Sequence, residues 1–380
     1  MSVDQVKAIM RAKDAISSAK VRGTQAVIGF DGFVDEISEA VDKRTSPDTY
    51  KRIETIAEFG ERIGKAAGLS TNIELVPKVI KLGGNGPIMA NALAALGLDV
   101  TYIGALGRPL HPVFRELALK ARVISIAQPG HTDALEFSDG TIMLGKLESI
   151  KNINWESLVT AIPLTEMIDL FSRTELIATV NWTMIPYMTE IWQHLIDDVF
   201  SVINYDEPPM IFFDLSDPEK RSPDEIAEAL RTIQRFNGPC RATLGLNRKE
   251  ATQVAEALGL RLSYDPANAP LDEITKAIAE NMDIYGIVVH PLDQAACVLD
   301  GVFCIADGPY TAHPRLTTGA GDNFNAGFCL GQVLNLYPKD CLILGAATSG
   351  FYVRYEYSPS LSELLDFLDL WANNVGREFA

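Results

Sequence analysis

The amino-acid sequence alternates between short apolar runs and longer amphipathic runs through most of its length. Apolar runs of strand length begin at Ala26, Val100, Leu176, Met210, Ala242 and Tyr285. Amphipathic runs of helix length include residues 87–96, 187–201, 223–236 and 272–281. A strand without polar alternation must be covered on both of its faces. The pattern therefore predicts an α/β fold, in which a mostly parallel central sheet lies between two layers of helices.

Two segments depart from this alternation. Residues 134–146 form two short extended runs around Ser138-Asp139-Gly140, which is typical of a β-hairpin. The long connection 35–82 contains apolar residues at helical spacing near 50–67, which predict an amphipathic helix. A small hairpin inserted in a parallel α/β domain often covers a site. We therefore expect a single domain over 1–380, with small β-lid elements near 33–50 and 130–147 and an N-terminal helical extension over 1–24.

Composition and charge narrow the possible functions. The chain has 380 residues and a formal net charge of −17, which argues against nucleic acid as a partner because no basic stripe is present. The five cysteines form no C-x-x-C pair, so neither a disulfide framework nor a zinc site is indicated. No apolar stretch is long enough to span a membrane, and the charged N-terminus does not resemble a signal peptide. These features predict a cytoplasmic protein with no membrane partner.

The stretch RLTTGAGDNFNAG, residues 315–327, places two glycines and an alanine directly before Asp322 and an apolar periodic run. The glycines therefore lie at a junction between a loop and a helix. Backbone N–H groups in the first turn of a helix have no intrahelical partner, so such a junction can bind an anion such as phosphate. Asp322, next to those donors, could accept a proton from an attacking hydroxyl. An ordinary helix N-cap would produce the same local pattern.

Three motifs that occur in the order of the family, together with a segment near the N-terminus, resemble the PfkB (ribokinase-like) carbohydrate kinases. TTGAGDNFNAG is similar to the C-terminal signature of that family, and GGNGPIMANALAALG, residues 83–97, is similar to its N-terminal signature. LNRKEA carries Asn247 and Glu250 at the N-x-x-E spacing of the family, and FDGFVDEI, residues 30–37, resembles its first strand and sugar-binding aspartate. The resemblance covers about 26–354 and implies a ribokinase-like three-layer α/β/α fold.

The resemblance implies a phosphotransferase that moves the γ-phosphate of ATP to a hydroxymethyl group of a small sugar or related polyol. Asp322 would be the catalytic base, and the backbone N–H groups of Gly319, Ala320 and Gly321 would form the anion hole. Asn247 and Glu250 would act on Mg²⁺ and the phosphates, partly through water. The same two residues also have the spacing of a helix capping box, which spacing alone does not exclude.

The resemblance also implies residues that bind the sugar and the nucleotide. Asp31 and Asp35 compete for the role of sugar-hydroxyl ligand, and the family spacing favours Asp35 although it is displaced by one residue. The other residues expected to face the sugar are Gly83, Gly84 and Asn85. Thr318 and His290 are expected beside the nucleotide, where His290 could equally be a loop residue without a further role.

Three departures from the family pattern limit these expectations. Leu316 stands where many members have an aspartate that helps to bind a monovalent cation, which makes cation activation doubtful. Ile88 stands where the first signature usually has asparagine, and Leu292 replaces a glycine beside the nucleotide, which leaves the identity of the phosphate donor open. Two other functions therefore remain: a sugar- or nucleotide-binding protein with little turnover, and a nucleoside kinase of the same fold. A homodimer is also compatible with the sequence.

Overall fold

The computed structural model describes residues 2–379 and contains fourteen strands in that range. The strands are β1 (Gln25–Phe30), β2 (Phe33–Ser46), β3 (Thr49–Arg52), β4 (Leu75–Gly83), β5 (Asp99–Gly104), β6 (Arg122–Ser125), β7 (Gly130–Phe137), β8 (Gly140–Lys146), β9 (Leu176–Thr179), β10 (Met210–Asp214), β11 (Arg241–Leu246), β12 (Gly286–Val289), β13 (Gln294–Leu299) and β14 (Val302–Asp307).

Thirteen α-helices lie in the same described range, and short 3₁₀ turns join several of them. The helices are α1 (Ser2–Ser18), α2 (Ile56–Lys65), α3 (Asn85–Ala95), α4 (Arg115–Lys120), α5 (Trp155–Ala161), α6 (Leu164–Ser172), α7 (Met188–His194), α8 (Pro223–Arg235), α9 (Arg248–Ala257), α10 (Leu271–Glu280), α11 (Ala320–Val333), α12 (Pro338–Tyr355) and α13 (Leu361–Asn373).

Nine strands form one central sheet in the order β14-β13-β12-β11-β10-β9-β1-β5-β6. The strands from β12 to β6 run parallel, and β13 and β14 close one edge in antiparallel pairing. Neighbouring residues of β1 enter different cores: Ile28 packs in one apolar cluster and Val27 in the other. A strand with apolar side chains on both faces requires this double cover. The predicted α/β fold with a mostly parallel sheet is confirmed.

A second, smaller sheet stands apart from the central one. It contains β3, β2, β7 and β8 in that order. β4 also pairs with β2, along the edge of β2 opposite to β7. We refer to these five strands as the small sheet. The hairpin predicted around Ser138 is formed by β7 and β8, which pair antiparallel. β4 was not expected from the sequence, because most of its residues are exposed and it carries Pro77 within an edge strand.

The helix predicted near 50–67 is wrong in its first part. Tyr50 belongs to β3, which pairs with the distal half of β2, and the helix begins only at Ile56. Thr55 caps this helix by accepting a hydrogen bond from the N–H of Glu58. Ile53 and Phe59 lie in the same small apolar cluster, but one side chain comes from the strand side of the boundary and the other from the helix. Apolar spacing across the boundary therefore imitated a continuous helix.

The N-terminal helix α1 packs against the C-terminal part of the chain. Ile9, Ala12 and Ile16 are buried in the same core as α12 and α13, and the guanidinium of Arg11 donates to the carboxylate of Asp340 at 2.7 Å. The five cysteines are buried and free. Within residues 2–379, the length and hydropathy of the helices do not meet what a bilayer crossing requires.

Candidate active site

A large cavity lies between the central sheet and the small sheet. Its volume is about 1020 Å³, which suits one or two small ligands. One wall comes from Phe33, Asp35 and Thr132 of the small sheet. The floor comes from residues at or just beyond the carboxyl ends of the parallel strands, namely Asn181, Asp214, Asn247 and His290. Ligands of open parallel sheets bind at this edge.

The N-terminus of α11 opens into the cavity. Gly319 precedes the helix with φ +94°, and no side chain caps the helix there. The N–H of Ala320 donates to the carbonyl of Thr317 at 3.1 Å, whereas the N–H groups of Gly321 and Asp322 have no acceptor within residues 2–379. The structure therefore corrects the expectation for Ala320, whose amide is not free. The remaining amides keep the capacity to bind an anion.

Asp322 faces the cavity in the first turn of α11 and is buried. Its Oδ1 accepts a hydrogen bond of 2.9 Å from the side-chain amide of Asn85. Burial, with the nearby charge of Asp214, raises the pKa of Asp322 well above its ordinary value. The two glycine-containing motifs are 237 residues apart in sequence and meet at this hydrogen bond.

Asp31 and Asp35 have different positions. Asp31 is fully buried and is not part of the cavity wall; its carboxylate accepts hydrogen bonds from the backbone N–H groups of Asn85 and Gly86 at 3.0 and 2.9 Å. Asp35 lines the cavity, and burial raises the pKa of its carboxyl group. Asp31 is enclosed by the N-terminus of α3, so the expectation that it contacts a sugar directly is wrong.

The Gly83-Gly84 pair provides space for these carboxylates. A Cβ atom on Gly83 would collide with the carboxylate of Asp35. Gly84 has φ +94°, and a Cβ atom there would lie 2.8 Å from Oδ2 of Asp31. Both positions thus require glycine because the backbone approaches a buried carboxylate closely. Gly84 and Asn85 also line the cavity, whereas Gly83 does not.

Asn247 and Glu250 form the capping box that their spacing permits. The side chain of Asn247 accepts from the N–H of Glu250 at 3.0 Å, and Glu250 Oε2 accepts from the N–H of Asn247 at 2.8 Å. Glu250 Oε1 accepts from the N–H of Asp217 at 3.0 Å. Burial, together with the charge of Asp214, raises the pKa of Glu250 to about 8. Within residues 2–379 no cluster of three or more His, Cys, Asp or Glu side chains could hold a metal ion alone.

The residues expected beside the nucleotide also reach the cavity. Thr318 lines it, and the hydroxyl of Tyr352 donates to the carbonyl of Thr318 at 2.9 Å. His290 stacks on Phe324 with ring centroids 4.5 Å apart, and burial lowers the pKa of its imidazole to about 4, so the ring is neutral at pH 7. Leu292 lines the mouth with its side chain 99% exposed.

Two residues of the cavity were missed by the sequence reasoning. Asp214 ends β10 and is buried; its carboxylate accepts from the Ser216 hydroxyl at 2.7 Å and from the Asn325 side chain at 2.9 Å. Asn181 follows β9, is buried, and donates from its side chain to Asp31 at 2.7 Å. The available signal was their position: each is a polar residue at the carboxyl end of an apolar strand.

The prokaryotic ketohexokinase family matches residues 1–371 of this chain. A ketohexokinase from Haloferax volcanii is 28% identical over 363 residues, which cover 94% of this chain and 95% of that protein.

Solved structures with the same fold include ribokinase from Cryptococcus neoformans var. grubii in complex with ADP, at TM-score 0.62 and 17% identity, with 92% of this chain and 99% of that chain covered. Ribokinase from Arabidopsis thaliana complexed with ribose and ATP has TM-score 0.62 and 16% identity, with 91% and 99% covered. The similarity to ribokinase-like carbohydrate kinases that the motifs indicated is confirmed. This chain belongs to the prokaryotic ketohexokinase family and is a carbohydrate kinase with the ribokinase fold.

Proposed function

We propose that this protein transfers the γ-phosphoryl group of ATP to a hydroxymethyl group of a ketohexose. The observation that carries the proposal is the position of Asp322, a buried carboxylate that faces the cavity beside the uncapped N-terminus of α11. This pair of features suits phosphoryl transfer to an alcohol, since the carboxylate takes the proton and the amides stabilise the negative charge. Membership of the prokaryotic ketohexokinase family supports the choice of acceptor.

Asp322 acts as the base in this proposal. Its Oδ1 is held by Asn85, and Oδ2 has no protein donor within residues 2–379, so Oδ2 is available to an acceptor hydroxyl. The raised pKa of Asp322 makes the carboxylate a stronger proton acceptor than a solvated aspartate. A substrate hydroxyl that donates to Oδ2 would lie next to the first turn of α11, where the transferring group is bound.

The anion hole is formed by backbone amides at the start of α11. The sequence predicted Gly319, Ala320 and Gly321 for this role. Because the amide of Ala320 already donates to Thr317, we assign the hole to Gly319 and Gly321, together with the amide of Asp322 itself. The positive end of the helix dipole favours the same negative charge.

The acceptor lies against the small sheet. Asp35 and Thr132 are cross-strand neighbours of β2 and β7, and both line the cavity. A buried carboxylate beside a threonine hydroxyl is a suitable partner for sugar hydroxyls, which both donate and accept hydrogen bonds. The backbone of Gly84 and the side chain of Asn85 complete this subsite between Asp35 and Asp322.

The nucleotide occupies the other half of the cavity. Pro309, Tyr310 and Val353 line the cavity and provide apolar surface for a base. Thr318 lies just before the start of α11, and neutral His290 stacks on Phe324 of that helix. The solved complexes of structurally similar ribokinases with ADP and with ATP support ATP as the donor. Leu292, which stands where the family pattern has glycine, lines the cavity with an exposed apolar side chain.

Magnesium fits this site as an ion held by phosphates and water. Asp214 and Glu250 are buried carboxylates of the cavity wall that repel each other, and a divalent cation would offset this repulsion. Both oxygens of Glu250 already accept backbone N–H groups, so Glu250 and Asn247 would act through water. When bound, Mg²⁺ neutralises charge on the transferring phosphates.

Replacement of Asp322 tests the proposed function. We expect Asp322→Asn to lower kcat by about 10³-fold, within the range for loss of a general base, with the KM for the sugar changed by less than about threefold. The assay is ATP-dependent product formation over a panel of ketohexoses, aldoses, polyols and nucleosides. A variant as active as the wild type would refute the assignment of the base.

A matched control is Asp340→Asn. Asp340 is also a buried aspartate in the first turn of a helix that packs on α11, but it pairs with Arg11 and does not line the cavity. It should lower stability and leave kcat within about twofold. Sugar or nucleotide binding by the wild type without any turnover would instead favour a binding protein, and preference for nucleosides would favour a nucleoside kinase.

A further inference from the structure

Asp31 is a buried carboxylate for which the proposed chemistry has no direct use. Three donors from two separate elements bind its carboxylate: the backbone N–H groups of Asn85 and Gly86, and the side-chain amide of Asn181 at 2.7 Å. The hydroxyl of Tyr102 donates to the backbone carbonyl of Asp31 at 2.6 Å and lies 3.3 Å from Oδ1. A Cβ atom on Gly86 would lie 2.6 Å from Oδ1 of Asp31. The carboxylate therefore has a fixed position and no access to a ligand.

The first element that Asp31 holds is Asn181. Because a carboxylate only accepts hydrogen bonds, the NH₂ group of Asn181 must point to Asp31 and its Oδ1 must point the other way. Asn181 is 3% exposed, lines the cavity, and its buried Oδ1 has no donor within residues 2–379. Its backbone has φ +64°, which is uncommon for a residue other than glycine.

A buried acceptor without a donor is unfavourable, and strained residues that persist are concentrated where ligands bind. The lone acceptor of Asn181 is thus the kind of group that a ligand hydroxyl would satisfy. Asn181 follows β9 next to β1 in the sheet, so it lies at the same strand edge as the acceptor subsite.

The second element that Asp31 holds is the start of α3. Oδ2 of Asp31 accepts from the backbone N–H of Asn85 at 3.0 Å, and the side chain of Asn85 donates to Asp322 at 2.9 Å. The position of Asp322 is therefore coupled to Asp31 through one intervening residue. Both arms start from the same carboxylate oxygen, since Oδ2 also accepts from Asn181.

We propose that Asp31 is a positioning residue with two arms: through Asn181 it presents Oδ1 as the acceptor for one hydroxyl of the ketohexose, and through Asn85 it aligns Asp322. This inference rests on the proposed function, because it needs the sugar in the cavity beside Asp322. It assigns substrate contact to Asn181 and none to Asp31.

The arm through Asn181 is tested with Asn181→Leu. The panel is D-fructose, L-sorbose and D-tagatose, with monodeoxy analogues of the best acceptor. We expect the KM for the acceptor to rise about tenfold and the KM for ATP to stay within about twofold, as for loss of one hydrogen bond. One deoxy analogue should be about tenfold poorer than its parent with the wild type and no poorer with the variant, because the lost partners are the same pair.

Exchanging the carboxylate of Asp31 and the amide of Asn181 tests the two arms separately. In Asp31→Asn one acceptor oxygen becomes an NH₂ group, which opposes either the NH₂ of Asn181 and the N–H of Asn85 or, with the amide turned, the N–H of Gly86. Both orientations disturb what Asp31 holds, so we expect a higher KM for the sugar and a kcat lowered about tenfold. In the charge-neutral double variant Asp31→Asn with Asn181→Asp, the amide at 31 can donate to the carboxylate at 181, whose second oxygen still faces the cavity. The KM should return to within about threefold of the wild type, whereas kcat stays low because Asn85 still lacks its acceptor.

Thr174→Val is the matched control. It removes a buried hydrogen bond from the Thr174 hydroxyl to the carbonyl of Leu170. Thr174 lies just before β9, at the end of that strand opposite to Asn181. It should lower the thermal midpoint without changing either KM. Thermal unfolding of every variant separates loss of structure from loss of positioning.

The outcomes distinguish this inference from the proposed function. A wild-type protein that phosphorylates no ketohexose of the panel would contradict both. An active wild type with an unchanged KM in Asn181→Leu would contradict only the contact with Asn181. A double variant with a KM no better than that of Asp31→Asn would overturn the role of Asp31 in orienting that side chain.

Discussion

Helices α3 and α11 begin in the same way and end up with opposite properties. Gly84 precedes α3 and Gly319 precedes α11, each with φ +94°, and no side chain caps either helix. At α3 the first two amides donate to the buried carboxylate of Asp31. At α11 the amides of Gly321 and Asp322 have no acceptor within residues 2–379 and face the cavity.

The difference shows that a glycine turn before a helix does not by itself make an anion site. The N–H groups must also be left unpaired by the rest of the fold. In α3 they are occupied by the carboxylate of Asp31, which directly follows β1, and in α9 the capping box occupies the N–H groups of Asn247 and Glu250. Only α11, among these three helices, presents free amides to the cavity.

Substitution of Gly319 should disturb the start of α11, to which we assign the anion hole. In Gly319→Ala, the Cβ atom would lie 2.9 Å from the hydroxyl of Tyr352 at a φ that disfavours side chains. The amides of the proposed anion hole would shift, so we expect kcat to fall by about 10²- to 10³-fold, equivalent to about 3–4 kcal/mol of transition-state stabilisation. Steady-state kinetics at saturating ATP and sugar measure this.

The matched control is Gly23→Ala, because Gly23 has φ +92° and no atom within 4 Å of an added Cβ. It should cost only the backbone term of about 1–2 kcal/mol in the free energy of unfolding, with kcat unchanged. Equal kcat values for Gly319→Ala and the wild type would mean that the start of α11 does not stabilise the transition state.

Substitution of Gly84 should instead disturb the start of α3, whose amides donate to Asp31. The Cβ atom of Gly84→Ala would approach Oδ2 of Asp31 to 2.8 Å and disturb the hydrogen bonds that this carboxylate accepts. We expect the free energy of unfolding to fall by about 3 kcal/mol, the sum of backbone strain and weakened buried hydrogen bonds. Urea unfolding measures it, and a loss no larger than that of Gly23→Ala would show that Asp31 does not anchor α3.

The central sheet was predictable because each of its strands is defined by a local apolar run. The start of α2 was not, because Ile53 continues the helical spacing although it packs from β3's side of the boundary. β4 was hidden because its apolar residues do not alternate regularly with polar ones and Pro77 interrupts them.

The site was predicted where its residues belong to one motif and missed where they depend on tertiary contacts. Asp322 and the open start of α11 follow from a contiguous stretch. Asp31 was placed among the sugar ligands because its partners are 54 to 150 residues away and no local pattern shows that they enclose it. Asn181 offered only its position after an apolar strand as a signal, and no local pattern shows that its side chain donates to Asp31.

The pH dependence of stability gives the smallest test of the comparison, and it concerns the occupied helix. Burial raises the pKa of Asp31 from its ordinary value of 3.8 to about 6, against the opposing effect of its hydrogen bonds. Between these values the folded protein holds a proton that the unfolded chain has lost, so the contribution of Asp31 to stability is present at low pH and is lost as pH rises through 6. Asparagine does not titrate. The free energy of unfolding of the wild type, minus that of Asp31→Asn, should therefore fall by about 2 kcal/mol between pH 4.5 and 6.5.

Urea unfolding at several pH values measures this difference. Thr174→Val changes no titrating group, so its free energy of unfolding should differ from that of the wild type by the same amount at every pH. A difference that instead increased with pH would mean that the hydrogen bonds from α3 and Asn181 lower the pKa of Asp31 by more than burial raises it. Asp31 would then stay ionised, and its hydrogen bonds to the start of α3 would stabilise the fold at neutral pH.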